Sequence, residues 1–191
     1  MEKEPRFKAS VMTSTLGFIS KELGETALQA ILASYDSKEV AGKQFLPSDW
    51  LPERTHRDLL VATRKYLETT ARQKDPREFF FQMGRYLAID GINKYYKSLI
   101  SAFDTKFMLT KTPYLWGVIH SHGSLKVEPM GQNGACVYIS DYPVPCKEWC
   151  LMMGGYMHAV AEMTKARDIK LEEVECVTTG AKRCKFVGEW K

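Results

Sequence analysis

The sequence has no run of some twenty apolar residues, so no segment of it reads as a membrane span. Its opening, Met1-Glu2-Lys3-Glu4-Pro5, is polar and mixed in charge, and no apolar stretch of the signal-peptide kind follows; a cytoplasmic location is the expectation. No charge of one sign dominates, because 27 basic residues stand interspersed against 23 acidic ones for a net +4. A nucleic-acid partner needs a clustered basic face, so none is expected. Four signatures are also missing: a glycine-rich phosphate loop, a nucleophile elbow, a His-Glu-x-x-His pair and a Ser/His/Asp order. Cys146 has His120 and His158 as conceivable bases but no third group to orient them, so the chain is expected not to be an enzyme. Internal repeats and low-complexity tracts are lacking too. What remains is an ordinary globular composition, 45% apolar over 191 residues. A chain of that length buries roughly 70% of its unfolded surface without any staple.

Apolar spacing organises the first two thirds as helices. Leu16, Ile19, Leu23, Ala27, Ala30 and Ile31 recur at three- and four-residue steps between Thr13 and Tyr35, with Gly24 as a break. A second helix is predicted from Pro52 through Leu67. A third opens at Asp75-Pro76, with Glu78 placed for a capping box, and carries Phe80, Met83, Leu87, Tyr95 and Leu99 over some 25 residues. Gly84 and Gly91 share one face of it, which asks for a close neighbour, either a helix or a ligand. Residues 105–121 are a mixed apolar stretch interrupted by Pro113 and Gly117. Strict alternation at Ser124–Glu128 and again at Ala135–Ser140, about a glycine-rich turn, predicts an antiparallel hairpin. A helix from about Cys146 to Ala166 and a second hairpin, Lys170–Thr178 with Lys182–Trp190, complete the chain. The expected fold is α+β: one domain over 1–191, helices at about 13–120 and a ββαββ part at about 123–190, the helical layer packed on a four-stranded antiparallel sheet.

Five cysteines occur, Cys136, Cys146, Cys150, Cys176 and Cys184, all in the last third. An odd number with no signal peptide argues against a disulfide framework. If the last hairpin turns about Gly180, Cys176 opposes Cys184 at a β-carbon separation of about 4.5–5.5 Å. Glu173 lies three residues before Cys176, and Cys146 and Cys150 share a face of the preceding helix; either could turn toward the hairpin. Three thiolates and a carboxylate make a closed tetrahedral zinc set, structural because no position is left for water. Lys182, Arg183 and Lys185 could offset its net charge. Glu173 and Cys176 nevertheless have opposite parity, so a regular strand would point them to opposite faces. On the residues alone the choice between zinc and ordinary buried or oxidisable cysteines stays open.

The segment Glu173-Val174-Glu175-Cys176-Val177-Thr178-Thr179-Gly180-Ala181-Lys182-Arg183-Cys184-Lys185-Phe186 resembles the closing motif of the 4-vinyl-reductase-type small-molecule-binding domain. That family is related in fold to the haem-nitric-oxide-binding domain and to subunits of the TRAPP vesicle-tethering complex. Leu46-Pro47-Ser48-Asp49-Trp50 and Asp75-Pro76-Arg77-Glu78-Phe79-Phe80 with Met83-Gly84 look like uncharacterised bacterial members of the same superfamily. In the phenol- and toluene-responsive sensors of the family, zinc is held by a cysteine at the start of the long helix and by Glu-x-x-Cys-x7-Cys. The resemblance therefore implies zinc at Cys150, Glu173, Cys176 and Cys184, with Cys146 as the rival to Cys150. It also implies a sensory module for a small apolar or aromatic ligand, signalling as a homodimer or through a separate protein partner. Two alternatives accompany it: a scaffold like the tethering-complex subunits, and an auxiliary factor in bacteriochlorophyll vinyl reduction.

Tyr114, Trp116 and His120 suit a pocket mouth, each with an apolar body and a polar tip. His120 and His122 are also conceivable haem or metal ligands. The Tyr-Ser-Arg signature that grips haem propionates in the haem-binding relatives is not apparent, which argues against haem. Met152, Met153, Met157 and Met163 make the long helix adaptable in packing, as core or dimer surface.

Overall fold

The computed structural model describes residues 4–71, 74–95, 105–164 and 166–191, the side chains of 92–95 and 106 excepted. The chain begins with a short strand, β1 (Arg6–Lys8), followed by α1 (Ala9–Leu23) and α2 (Glu25–Ala33). Gly24 separates the two helices at φ +86°, a value that favours glycine. A second short strand, β2 (Trp50–Pro52), pairs antiparallel with β1 and leads directly into α3 (Glu53–Thr69). Neither strand was expected: β1 precedes the part read as helical, and β2 lies inside it. Three residues each are too short for alternation to register, and the partners sit more than forty positions apart.

The helix α4 (Pro76–Tyr95) starts as its capping signal predicts, with Arg77 N–H donating to the Asp75 carboxylate at 2.9 Å. Leu99, expected on its continuation, lies outside the described residues. The mixed apolar stretch forms α5 (Thr105–Ile119) in spite of Pro113, which costs the helix one backbone hydrogen bond. After it come β3 (Ser124–Pro129), β4 (Gly134–Ser140), α6 (Lys147–Met163), β5 (Lys170–Glu175), a 3-10 turn (Val177–Thr179) and β6 (Cys184–Glu189). The described residues thus hold six α-helices and a four-stranded antiparallel sheet in the order β3-β4-β6-β5.

Gly84 was singled out for a close neighbour, and the neighbour is a helix. A β-carbon added there would stand 1.8 Å from the carbonyl oxygen of Met152 on α6. Gly155 is the reciprocal position, where a β-carbon would stand 1.9 Å from the Phe81 carbonyl oxygen. Two glycines, one from each helix, let α4 and α6 meet backbone to backbone. A β-carbon at Gly91 would meet nothing within 4 Å. Around this contact one buried cluster runs from Phe7, Met12 and Ile19 through Leu59, Phe80 and Met83 to Trp149, Ile139 and Phe186. Burying apolar surface at about 25 cal/mol per Å² is what holds the helices to the sheet.

Candidate functional site

The register of β5 on β6 places the sulfur cluster. Lys170 to Glu173 pair with Glu189 to Phe186 in sequence, and then the register shifts, so that Glu175 pairs with Lys185. Val174 is the extra residue, a β-bulge, and its side chain is exposed. The bulge reverses the parity of everything after it. Glu173 therefore shares a row with Phe186 and Val137, on the inward face, while Cys176 comes round to the same face as Cys184, whose partner Ile139 is in the core.

Cys150, in the first turn of α6, completes the cluster. Its Sγ lies 3.5 Å from Cys176 Sγ and 3.8 Å from Cys184 Sγ. With a Glu173 oxygen included, all four donor atoms lie within 4.8 Å of one another. Cys146, the N-cap of the same helix, is not among them. A tetrahedron with metal–sulfur bonds of about 2.3 Å has sulfur–sulfur edges of about 3.8 Å, so the observed sulfur separations match a zinc-sized ion. Glu173 Oε1 is buried with no hydrogen-bond partner. An orphaned buried carboxylate oxygen costs free energy unless a cation or a proton meets it. The donor set and this vacant lone pair both fit a divalent soft ion.

The electrostatics agree. The hydrogen bond from the Cys150 thiol pulls the Cys184 thiol down to about 7, with the Val177 N–H, 3.5 Å from its sulfur, helping. The same hydrogen bond, then burial, pushes Cys150 far up. Burial raises Cys176. Of the basic residues expected to offset its charge, Arg183 lies over the Tyr138 ring at 4.1 Å and reaches Glu175 at 3.4 Å. Lys185, next to Cys184 on the strand, also faces Tyr138. Burial raises Cys146 to about 12, which suits a thiol and not a nucleophile.

A second polar cluster had no signal in the sequence. Glu53, the first residue of α3, is 1% exposed and accepts two hydrogen bonds. One comes from His120 Nδ1 at 2.7 Å, the other from the Tyr142 hydroxyl at 2.9 Å. Burial first, and then Glu53, keeps the Tyr142 proton in place. His56, stacked on Phe7, reaches the Thr15 hydroxyl at 3.0 Å, and burial lowers it to about 4. The only hint was Glu53 directly after Pro52, an acid in a first helical turn, which is too common to point at a buried network.

Of the three expected pocket residues, Trp116 and His120 come together, stacked with ring centroids 4.3 Å apart. Trp116 donates its Nε1–H to the His122 carbonyl. Tyr114 is 74% exposed and does not join them. A chain of rings continues from His120 and Trp116 to Tyr142 and Trp149, the residue before Cys150.

With this geometry in view, comparison with solved structures becomes informative. An H-NOX protein from S. oneidensis in the Fe(II) ligation state superposes with a TM-score of 0.72 at 13% identity, over 96% of each chain. A Cs H-NOX mutant gives 0.72 at 16%, again over 96% of each chain. An oxygen-binding H-NOX domain related to soluble guanylate cyclases gives 0.68 at 15%, over 96% of this chain and 95% of that one. The chain has the H-NOX fold. No family model matches it, and no curated protein does.

Two expectations are corrected by this. The 4-vinyl-reductase-type resemblance is not supported, since the solved structures that superpose on the chain with the scores above are H-NOX domains. The motif behind it spans one hairpin, and a local cysteine pattern can sit on more than one branch of related folds. The vinyl-reduction reading goes with it, and the scaffold reading loses its support. The expectation against haem is overturned as well, because the neighbours are haem proteins, some described through their haem distortion. The missing Tyr-Ser-Arg signature concerns one set of contacts; the H-NOX backbone is present throughout. No helix among the described residues is long and apolar enough to cross a membrane.

Among the described histidines, His120 is the one whose ring nitrogen lies 2.7 Å from a carboxylate oxygen. Its Nδ1 is oriented by the Glu53 carboxylate, the arrangement that leaves Nε2 as the ligating nitrogen of a metal-bound imidazole. His56 uses Nε2, on the Thr15 hydroxyl, whereas His122 and His158 also have Nδ1 engaged, on the Ser121 hydroxyl and the Arg85 guanidinium.

Proposed function

We propose that the chain is a non-enzymatic sensory module, one domain over 1–191, in which a structural zinc ties α6 to the last hairpin and a small molecule is bound in the body of the fold. The observation that carries the metal part is the convergence of Cys150, Glu173, Cys176 and Cys184 within 4.8 Å around a buried carboxylate oxygen with no partner. The sensory part is supported by the H-NOX fold over 96% of the chain. Zinc would supply only structure here, since four protein donors close its coordination sphere. The residues do the rest. Cys150 anchors the first turn of α6, the bulge at Val174 brings Cys176 round to the face of Glu173, and the Val177 amide and the Thr178 hydroxyl steady two of the sulfurs. The output passes through a homodimer or a separate protein.

Elemental analysis tests the metal. One zinc per chain is expected, lost in Cys176→Ser, together with a melting temperature that falls on chelation. A metal-free protein whose melt ignores a chelator removes zinc from the account. The oriented His120 imidazole favours a particular ligand carrier within the same reading, a haem ligated at Nε2. Titration with hemin should then give a saturating Soret band that His120→Ala abolishes. No band, or one indifferent to that substitution, leaves a directly bound small molecule as the ligand class.

A further inference from the structure

The inner face of the sheet thins toward the β3–β4 turn. One row across it runs Val127, Val137, Phe186 and Glu173; the next runs Pro129, Ala135, Gly188 and Leu171. In that second row the two central strands carry only a methyl group and a hydrogen, and α5 crosses the hairpin there over a cavity of about 260 Å³. The apolar surface that reaches it belongs to Leu109 and Pro113 of α5, Val127 and Pro129 of β3, and Trp190, none of them fully buried. Trp190 is held in place by its backbone N–H, which donates to the Asn133 carbonyl at 2.9 Å. Among the described residues no charged one lines the cavity, and it shares none with the sulfur cluster or the Glu53 network. Its polar groups are open. Pro113 has no N–H to give the Leu109 carbonyl one turn back, and that carbonyl lies between two residues that both line the cavity. The nearby hydroxyls are spent elsewhere, Thr110 on the Phe107 carbonyl at 2.6 Å and Thr112 on the Met108 carbonyl at 3.2 Å. On the wall made by the turn and the tail, neither the Trp190 indole N–H nor the Gln132 side-chain amide has a hydrogen bond to a described residue.

We propose that this cavity is the seat of a directly bound small molecule: a flat, uncharged compound of one or two rings with a hydrogen-bond donor and an acceptor on its edge, of which a cyclic amide is the simplest case. The inference rests on the sensory reading above and gives its ligand a place and a chemistry. The Leu109 carbonyl selects the donor, because an acceptor left without its helical N–H gains a partner. The Trp190 N–H or the Gln132 amide meets the acceptor. The lining excludes an ion, since no charge lies there to replace its hydration. The size excludes a porphyrin, the volume lying just under the roughly 300–1,000 Å³ range of ligand sites. Leu109 and Pro113 stand on α5, whose far end leads to the stacked Trp116 and His120, so an occupant bears on the helix that joins the cavity to the ring stack.

Oxindole is the probe, with indene, the same ring frame without the N–H and C=O, and indole-3-carboxylate as the apolar and the charged controls. The whole chain is titrated by calorimetry, and hemin is titrated into the same preparation. Oxindole is expected to saturate, with each control at least about fivefold weaker. Pro113→Val keeps an apolar wall and returns an N–H to the Leu109 carbonyl. It should raise the melting temperature and weaken oxindole about fivefold, opposite signs that a merely structural proline would not give. Trp190→Phe keeps a ring, removes the N–H, and should weaken oxindole while leaving indene unmoved. Absence of saturation, indene binding as tightly as oxindole, or an affinity untouched by Pro113→Val would each overturn the proposal. A hemin band that needs His120 beside a silent oxindole titration loses this site and leaves the sensory reading standing; silence from both removes the small-molecule reading as well.

Discussion

Two clusters of polar side chains lie in the interior, and they differ in whether their protons and lone pairs are used. Around Glu53 both carboxylate oxygens have donors, His120 on one and Tyr142 on the other. Around Glu173 one oxygen has no partner, and the Cys150 sulfur stands within hydrogen-bonding distance of both other sulfurs. The first cluster is complete as protein. The second leaves a buried carboxylate oxygen unmet, which is where the proposed ion would bind. Both sit at junctions, the first between α3, α5 and the segment before α6, the second between α6 and the β5–β6 edge. A satisfied network and an unsatisfied one thus do the same mechanical job by different means.

The comparison breaks most visibly at the metal. Chelation, or Cys176→Ser, is expected to lower the melting temperature by on the order of 10 °C, measured by scanning calorimetry, while the same chelator leaves a Cys176→Ser protein unmoved. In the complete cluster, Glu53→Leu strands a buried Nδ1–H and a buried hydroxyl. It should cost about 3 kcal/mol in urea unfolding with metal content unchanged. If Glu53→Leu also released metal, the two clusters would be one coupled unit and the contrast would fail.

Acid sharpens the contrast from another side. His56 is lowered to about 4 by burial, so the unfolded chain takes up its proton at an ordinary pH and the folded chain resists it. Its contribution to stability is whole above about pH 6.5 and is lost as pH falls from there toward 4, up to roughly 3 kcal/mol. Unfolding measured at intervals across that window should show a steeper loss in the native chain than in His56→Gln. The smallest effect expected is Tyr142→Phe, which removes one of the two donors to Glu53 and should cost about 1–2 kcal/mol by the same urea measurement.

The metal candidates were legible in the chain because cysteine is rare enough for spacing to mean something. Cys176 and Cys184 about Gly180 are a hairpin statement, and Cys150 lies on a helix recognisable from its own apolar period. The parity conflict of Glu173 with Cys176 was legible too, and its resolution was not. A bulge at Val174 depends on which residues of β6 are opposite, a matter of pairing between strands that no local pattern records. His120 was singled out by itself, but its meeting with Glu53 and Tyr142 was not legible for the same reason, since the two partners lie 67 and 89 residues from Glu53 along the chain. Gly84 advertised a close neighbour, but that the neighbour would be α6 and that Gly155 would meet it came from packing.

Periodicity, capping residues and turn glycines act over a few positions, and they settled where most helices begin, where the hairpins turn and which thiols could meet. The short β1–β2 ribbon, the continuity of α5 through Pro113, the bulge and the buried carboxylate networks are set by contacts between distant segments. Their free energy appears only once those segments are brought together, so no window of the chain contains it.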